Sequence, residues 1–418
     1  MQVNNSKGKL NMNSSIKNLS LDSTLPDESV LLPIDNPEFI QNPYSWYAEL
    51  RKIAPVFKMK DGSYMVSRYE DILKWLKHPV MSSVEPVDVD PNPWHGLHNT
   101  MLFMDPPQHT EKRRHINKWL TPKLVKEWVK AAKDHTEEKL DALLPSQVID
   151  AYEEIAVEST HIAICKMLDF PEDEIHPVSR HWFNYTLALR VHPEPWQLEV
   201  AYEGFKYLKE RTNQLLEYKK QNPGNGLVDE LLAKVETGEL TYEEVLQTLI
   251  MIYPSGAHNP GFMVATGIEL FAKRPDLFQE YKDNPENRKN FINELIRMNP
   301  PEFIMSRFTK EDVEINGVVI PKGAHVQFPL GSANYDEEYF ENPYEFNANR
   351  PPEHSMNLSF GIGAHSCAGQ VLSRAECETI FNVIAERCNR IEIVEEPVVT
   401  HTERVRSYTQ LKVIFHKN

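Results

Sequence analysis

The sequence predicts a mainly α fold with small β-sheets, and three observations carry that expectation. Apolar residues recur at helical spacing over most of the chain from position 109 to 273. Strand-like runs are short, and those between Phe308 and Phe328 are split by Gly317 and by Pro321-Lys322-Gly323. A hydrophobic fraction of 41% beside 25% charged residues belongs to a packed domain and not to a disordered chain. At 418 residues the chain can bury a sizeable core.

Residues 1–30 are rich in Asn, Ser and Lys without apolar period, which predicts a disordered leader and places the folded domain at 31–418. A first helix is expected over Asn42–Arg51, then a hairpin of 56–59 with 63–67 around Asp61-Gly62. The stretch from Val80 to Met104 holds Pro86, Pro91 and Pro93 and reads as a long irregular loop, a kind that usually serves function. Helical periodicity follows over 109–133, 136–144, 149–168, 178–189, 196–221, 228–234 and 242–273. A last helix is expected over 368–387, with β-like runs at 391–394 and 411–415. No internal repeat occurs.

No run of about 18 uncharged apolar residues is present, and the opening twenty residues lack the apolar core of a signal peptide, so a cytoplasmic protein without a membrane segment is expected. The formal net charge of −16 argues against a general nucleic-acid binder. Cys165, Cys367, Cys377 and Cys388 are too few for a disulfide scaffold and form no C-x-x-C pair.

The sharpest motif is Phe360-Gly361-Ile362-Gly363-Ala364-His365-Ser366-Cys367-Ala368-Gly369. It delivers one cysteine from a glycine-bent loop into a helix start. Glycines at 361, 363 and 369 let backbone approach a flat ligand. Unpaired N–H groups and the positive end of the helix dipole favour thiolate over thiol, as an axial haem ligand requires. A buried structural cysteine, or a zinc site built with His365, is the competing reading, and further ligands at metal spacing are missing.

This F-G-x-G-x-H-x-C-x-G spacing resembles the haem-binding loop of the cytochrome P450 family, and the resemblance extends over residues 36–415. It implies the triangular helical prism of that family with its β-rich side, a b-type haem held at iron by Cys367, Phe360 shielding the sulfur, and His365 against a propionate. It implies that Glu294, Arg297 and Arg350 form the structural triad behind the haem, and that His109, Arg113 and Arg307 face the propionates. Gly331-Ser332-Ala333-Asn334-Tyr335-Asp336 departs from the family by placing Tyr335 where an arginine is usual.

The implied activity is monooxygenation of a small organic substrate with dioxygen, in specialised metabolism. Neither a dinucleotide fingerprint nor a ferredoxin-like cysteine cluster is encoded, so electrons from NAD(P)H are expected through a separate ferredoxin or flavodoxin and its reductase. Arg114, Lys118, Lys123, Lys126 and Lys130 offer a local basic face for such a partner, and the chain is expected to work as a monomer. Position relative to the family's substrate segments nominates Trp94, Met101, Phe103, Trp182 and Phe183, with Ile252, Phe303, Ile304 and Val405, as pocket residues. A haem-thiolate sensor that never turns over is the non-enzymatic alternative.

The distal helix departs most. Where the family has an acid followed by an alcohol, this chain reads Gly256-Ala257-His258-Asn259-Pro260. Pro260 lacks an N–H and is expected to open the helix and free the Gly256 carbonyl. Counted without a gap, His258 takes the acid position and Asn259 the alcohol position, and a one-residue shift puts Asn259 and Pro260 there instead. Asn259 can hydrogen-bond dioxygen or water, and His258, which can carry a proton near neutral pH, or a polar group on the substrate itself, is the candidate replacement for the missing proton relay. The missing pair leaves desaturation, coupling, O-demethylation and nitration open beside hydroxylation.

Overall fold

The computed structural model describes residues 26–85, 92–172 and 175–418. The expected leader therefore lies outside the described residues up to position 25, as do residues 86–91 of the expected loop. Asp27 caps a helical turn at Glu28–Leu31 by accepting from Ser29 N–H.

After this come α1 (Tyr44–Ile53), the hairpin β1 (Val56–Lys58) and β2 (Tyr64–Val66), α2 (Tyr69–Trp75) and β3 (Met81–Ser82). The proline-rich stretch that follows holds two short 3-10 turns, Pro93–Leu97 and Met101–Phe103. Periodicity predicts one helix over 109–133 and a second over 136–144. The structure instead breaks between α3 (Gln108–Asn117) and α4 (Pro122–Ala142). Pro122 sits at the first turn of α4, where its missing N–H costs nothing, and the break moves there.

Residues 149–168 divide into β4 (Ile149–Asp150), a π turn (Tyr152–Val157) and α5 (Glu158–Leu168). Then follow α6 (Ile175–Thr186), α7 (Pro195–Gln221), α8 (Leu227–Glu236), α9 (Tyr242–Lys273), α10 (Pro275–Asp283) and α11 (Arg288–Met298). Strands β5 (Ile304–Thr309), β6 (Val313–Ile315), β7 (Val318–Ile320) and β8 (His325–Pro329) lead to α12 (Gln370–Arg387), and β9 (Cys388–Ile393), β10 (Val398–His401), β11 (Arg406–Gln410) and β12 (Lys412–Lys417) end the chain. The larger sheet runs β1-β2-β8-β5-β3, with β2 and β8 parallel and its other pairs antiparallel. A second sheet runs β4-β12-β9.

Helix α9 is the axis of the core. Leu249, Ile250, Tyr253 and Ala257 pack with α5, α7 and α8, whereas Phe262, Val264, Ile268 and Phe271 pack with α11 and α12. A Thr241–Glu244 capping box starts it. It runs unbroken through Pro254 and Pro260, so the expected opening at Pro260 is not found. The physical reason is lateral support: α5 and α12 flank the helix, and Thr160 Oγ1 donates to the Ala257 carbonyl at 2.8 Å. Pro260 still leaves the Gly256 carbonyl without its helical partner.

Behind these helices Glu294, Arg297 and Arg350 meet. Arg297 is fully buried and grips Glu294 with two hydrogen bonds of 2.8 Å, while Arg350 Nε lies 3.0 Å from the same carboxylate. Arg297 also donates to the carbonyls of Asn334 and Pro343, which ties α11 to the segment that approaches the cysteine loop. Tyr335 stacks on Tyr44 with centroids 3.8 Å apart, and Arg51 of α1 reaches Asp336 at 3.7 Å and Glu337 at 2.6 Å. The ion pairing that an arginine at 335 would give is taken over by Arg51.

Candidate active site

The cysteine loop turns twice through left-handed backbone, at Gly361 (φ +65°) and Gly363 (φ +80°). A side chain at Gly363 would also run into Lys77, so glycine is required there on two counts. Cys367 N–H donates to Phe360 O at 2.8 Å and closes the loop, and Gly369 caps α12, its carbonyl accepting from Ser373 N–H. Cys367 is accessible to water, yet enclosed enough that burial raises its thiol pKa. A side chain both accessible and enclosed lines an internal space. The Gly369 and Gln370 amides and the Arg113 guanidinium pull the pKa down, and the Glu302 carboxylate pushes it further up.

Around Cys367 stand four nitrogen-bearing groups with little to neutralise them. His109 is buried and neither ring nitrogen finds a hydrogen-bond partner. Its ring lies 4.0 Å from that of His365, whose Nε2 is 3.1 Å from Ser83 Oγ. Arg113 donates to the carbonyls of Ala364 and Ser366, and Arg307, among the described residues, only to its neighbour Ser306. Burial, then repulsion from Arg307 and His109, depresses His365 to about 3, and burial lowers Arg307 to about 10. The nearby acid, Asp105, is already committed to Ser82, Ser83 and Lys310. Phe360 is partly buried with the Arg374 guanidinium 5.0 Å above its ring.

On α9 the partly accessible positions Thr248, Ile252, Ser255, Gly256 and Asn259 recur every three or four residues within an otherwise buried stretch, so they form one stripe facing inward space. His258 lies off that stripe. It is 1% exposed, stacks on Phe183 and approaches Ser179 Oγ at 3.4 Å, and burial lowers its pKa to about 4. The low-dielectric packing disfavours the charged form that a proton carrier near neutral pH would need at His258.

The nominated pocket residues divide. Trp94, Phe103, Phe183 and Ile252 are partly accessible, Met101 and Trp182 are buried in the same cluster, and Trp94 packs 5.8 Å from Trp182. Phe303 and Ile304 go elsewhere: both are 1% exposed, and they pack with Tyr47 and Leu50 beneath the larger sheet. The accessible positions of the strand are Met305, Ser306 and Phe308, and Glu302 just ahead of it is also partly accessible. Glu302, which the sequence reading passed over, bridges Val405, and no described residue hydrogen-bonds its carboxylate. Burial raises its pKa, with Arg404 and Arg307 opposing. An acid two residues after Arg297-Met298-Asn299-Pro300 looks like a surface charge until the Val405 bridge is seen.

The Cytochrome P450 family model matches residues 288–406, which include the triad and the cysteine loop, and curated P450s align along nearly the whole chain. The chain belongs to the cytochrome P450 family. Cytochrome P450 CYP107DY1 of Priestia megaterium is 27% identical over 394 residues, covering 94% of this chain and 88% of that protein. A steroid C26-monooxygenase of Rhodococcus jostii is 28% identical, covering 85% of this P450 and 78% of its own length. Among solved structures, CYP109E1 from Bacillus megaterium in complex with testosterone superposes with a TM-score of 0.81 at 26% identity, over 90% of this chain and 99% of that one.

This P450 is thus a monooxygenase, and its family implies a haem. The residues fit that group. An enclosed cysteine at a helix start suits an iron ligand, and the Arg113 and Arg307 guanidinium groups with the imidazoles of His109 and His365 suit a flat dianion bearing two carboxylates. No helix among the described residues is long and apolar enough to cross a membrane.

Proposed function

We propose that Cys367 is the haem-iron ligand and that residues 31–418 work as one monomeric catalytic unit that oxidises a bulky, mostly apolar organic substrate of specialised metabolism. The observation that carries this is Cys367 on the wall of an enclosed space ringed by unneutralised His109, Arg113, Arg307 and His365. Those four would hold the two haem carboxylates, and Phe360 would screen the sulfur. Haem bound there supplies the activation of dioxygen that monooxygenation needs. Trp94, Met101, Phe103, Trp182, Phe183, Ile252 and Val405 bind and orient the substrate and exclude water. Testosterone in the CYP109E1 structure, and the steroid and polyketide roles named for several relatives, support a large apolar ligand.

Asn259 and the free Gly256 carbonyl hold water on the α9 stripe. Glu302, whose carboxyl pKa burial raises against the pull of Arg404 and Arg307, is the group that would take the place of the acid that α9 lacks. Electrons arrive from NAD(P)H through a ferredoxin or flavodoxin and its reductase. Arg114, Lys123 and Lys126 are exposed and make no ion pair among the described residues, which leaves them for an acidic partner, whereas Lys118 pairs with Glu230 and Lys130 with Asp134. The absent acid and alcohol on α9 favour a second reading, an oxidation such as desaturation or coupling that needs no such proton delivery.

The first test is spectroscopic. Reduced protein under carbon monoxide should show the strongly red-shifted band of thiolate-bound haem, and Cys367→His should abolish it. Persistence of that band in the variant overturns the ligand assignment, and NAD(P)H-driven turnover by the purified chain alone overturns the need for partners.

A further inference from the structure

Away from Cys367, a second set of metal-ligating side chains converges. Glu85 lies just after β3, while His95 belongs to the 3-10 turn Pro93–Leu97 and His98 follows it. The three-residue spacing of the histidines brings both rings to one side of that turn, stacked with centroids 4.5 Å apart and planes 28° from parallel. The ligand atoms of all three residues lie within 4.8 Å of one another.

Glu85 Oε2 is the focus. It lies 2.6 Å from His95 Nε2 and 3.9 Å from His98 Nε2. Despite that proximity the His95 contact is not directed as a hydrogen bond, and Oε2 is shut off from water with no hydrogen-bond donor among the described residues. A simple ion pair would align one imidazole N–H on the oxygen and would have no use for the second ring. Two imidazoles and one carboxylate converging around an unsatisfied oxygen make a donor set for a borderline-soft divalent cation.

We infer that Glu85, His95 and His98 form a binding site for a zinc-type divalent transition-metal cation. Ligand bonds of about 2.0–2.2 Å in a tetrahedral site put neighbouring donor atoms roughly 3.3 Å apart. His95 and Glu85 then part by less than about 1 Å, and His98 closes by a similar amount. The His98 side chain is 49% exposed, which gives the ion a path in and leaves a fourth position to water. The bound ion fastens the residue after β3 to the turn that carries Trp94.

The test uses haem-loaded protein stripped of loose metal by a chelator. Zinc chloride is titrated in competition with a chromogenic chelator. One zinc per chain is expected at micromolar affinity or tighter, and Glu85→Gln, His95→Ala and His98→Asn are each expected to weaken it at least 10-fold with the haem absorbance unchanged. X-ray absorption at the zinc edge of the wild-type complex should show nitrogen and oxygen neighbours and no sulfur. Failure of the wild type to retain zinc, an affinity that survives both histidine changes, or sulfur in the zinc shell overturns the assignment. His98 is exposed enough that His98→Asn reads the site even if His95→Ala does not fold.

Discussion

His258 is packed away from the accessible side of α9, whereas Glu302, to which the sequence analysis gave no role, is partly accessible. Counting along α9 puts His258 where the family has its acid, but counting cannot say which side of a helix a residue occupies. The accessible stripe at 248, 252, 255, 256 and 259 does say it, and it excludes position 258. His258, held neutral by burial with a folded pKa of about 4, should behave as a stability element. A depressed histidine adds stability that is complete above its unfolded pKa of about 6.5 and is lost as pH falls toward 4. His258→Phe should flatten thermal stability over that window, where the wild type loses on the order of 3 kcal/mol from this group alone. A wild-type curve equally steep in the variant would contradict the burial argument. Glu302→Gln keeps shape and removes the proton. Product formed per NAD(P)H consumed should fall several-fold and peroxide should rise, while substrate affinity changes little; unimpaired coupling would return the chemistry to the second reading given above.

At the scale of elements, long periodic helices were legible from spacing alone, since α7 and α9 bury continuous stripes and each carries a capping box at its start. Boundaries set by a single proline were less legible. Pro122 starts α4 and cuts a pattern that reads as continuous, whereas Pro260 cuts nothing because α5 and α12 hold α9 on either side. Phe303 and Ile304 were nominated for the pocket yet are buried, because a short run such as Glu302-Phe303-Ile304-Met305 has too few residues to fix which face is buried. Pro260→Ala gives α9 back an N–H for the Gly256 carbonyl. The variant should gain about 1 kcal/mol or more in stability and lose water held on the stripe, visible as a shift in the spin state of substrate-free protein. Unchanged stability and spectrum would mean that the Gly256 carbonyl is not an open acceptor.

For the molecule as a whole, the buried triad joins α11 to the segment that runs into the cysteine loop, so it links distant parts of the chain through charge. Its motif was readable, but only the fold shows that Asn334, Pro343 and Asn347 backbone groups complete the satisfaction of both charges. Removing one partner leaves the other charged and buried. Arg297→Ala should cost about 3–5 kcal/mol, a large part of the 5–15 kcal/mol that holds a typical domain together. Denaturant midpoints and the yield of haem-loaded protein should both drop, and Arg297→Lys should recover only part because it cannot reproduce the forked contact. A near-normal midpoint for Arg297→Ala would remove the triad from the account of stability.

The unpaired His109 and its cationic neighbours also bear on the life of the chain before it is an enzyme. Four like-charged or charge-averse groups in one enclosed place make the newly made polypeptide acid-sensitive, since the depressed His109 and His365 must take up protons on unfolding as pH falls. A ligand bringing two negative charges relieves that repulsion and binds the folded form alone, so it shifts the folding equilibrium by mass action. A polypeptide made without that ligand is the less stable form and the better substrate for proteolysis, which the protease resistance of the chain with and without added haem would read.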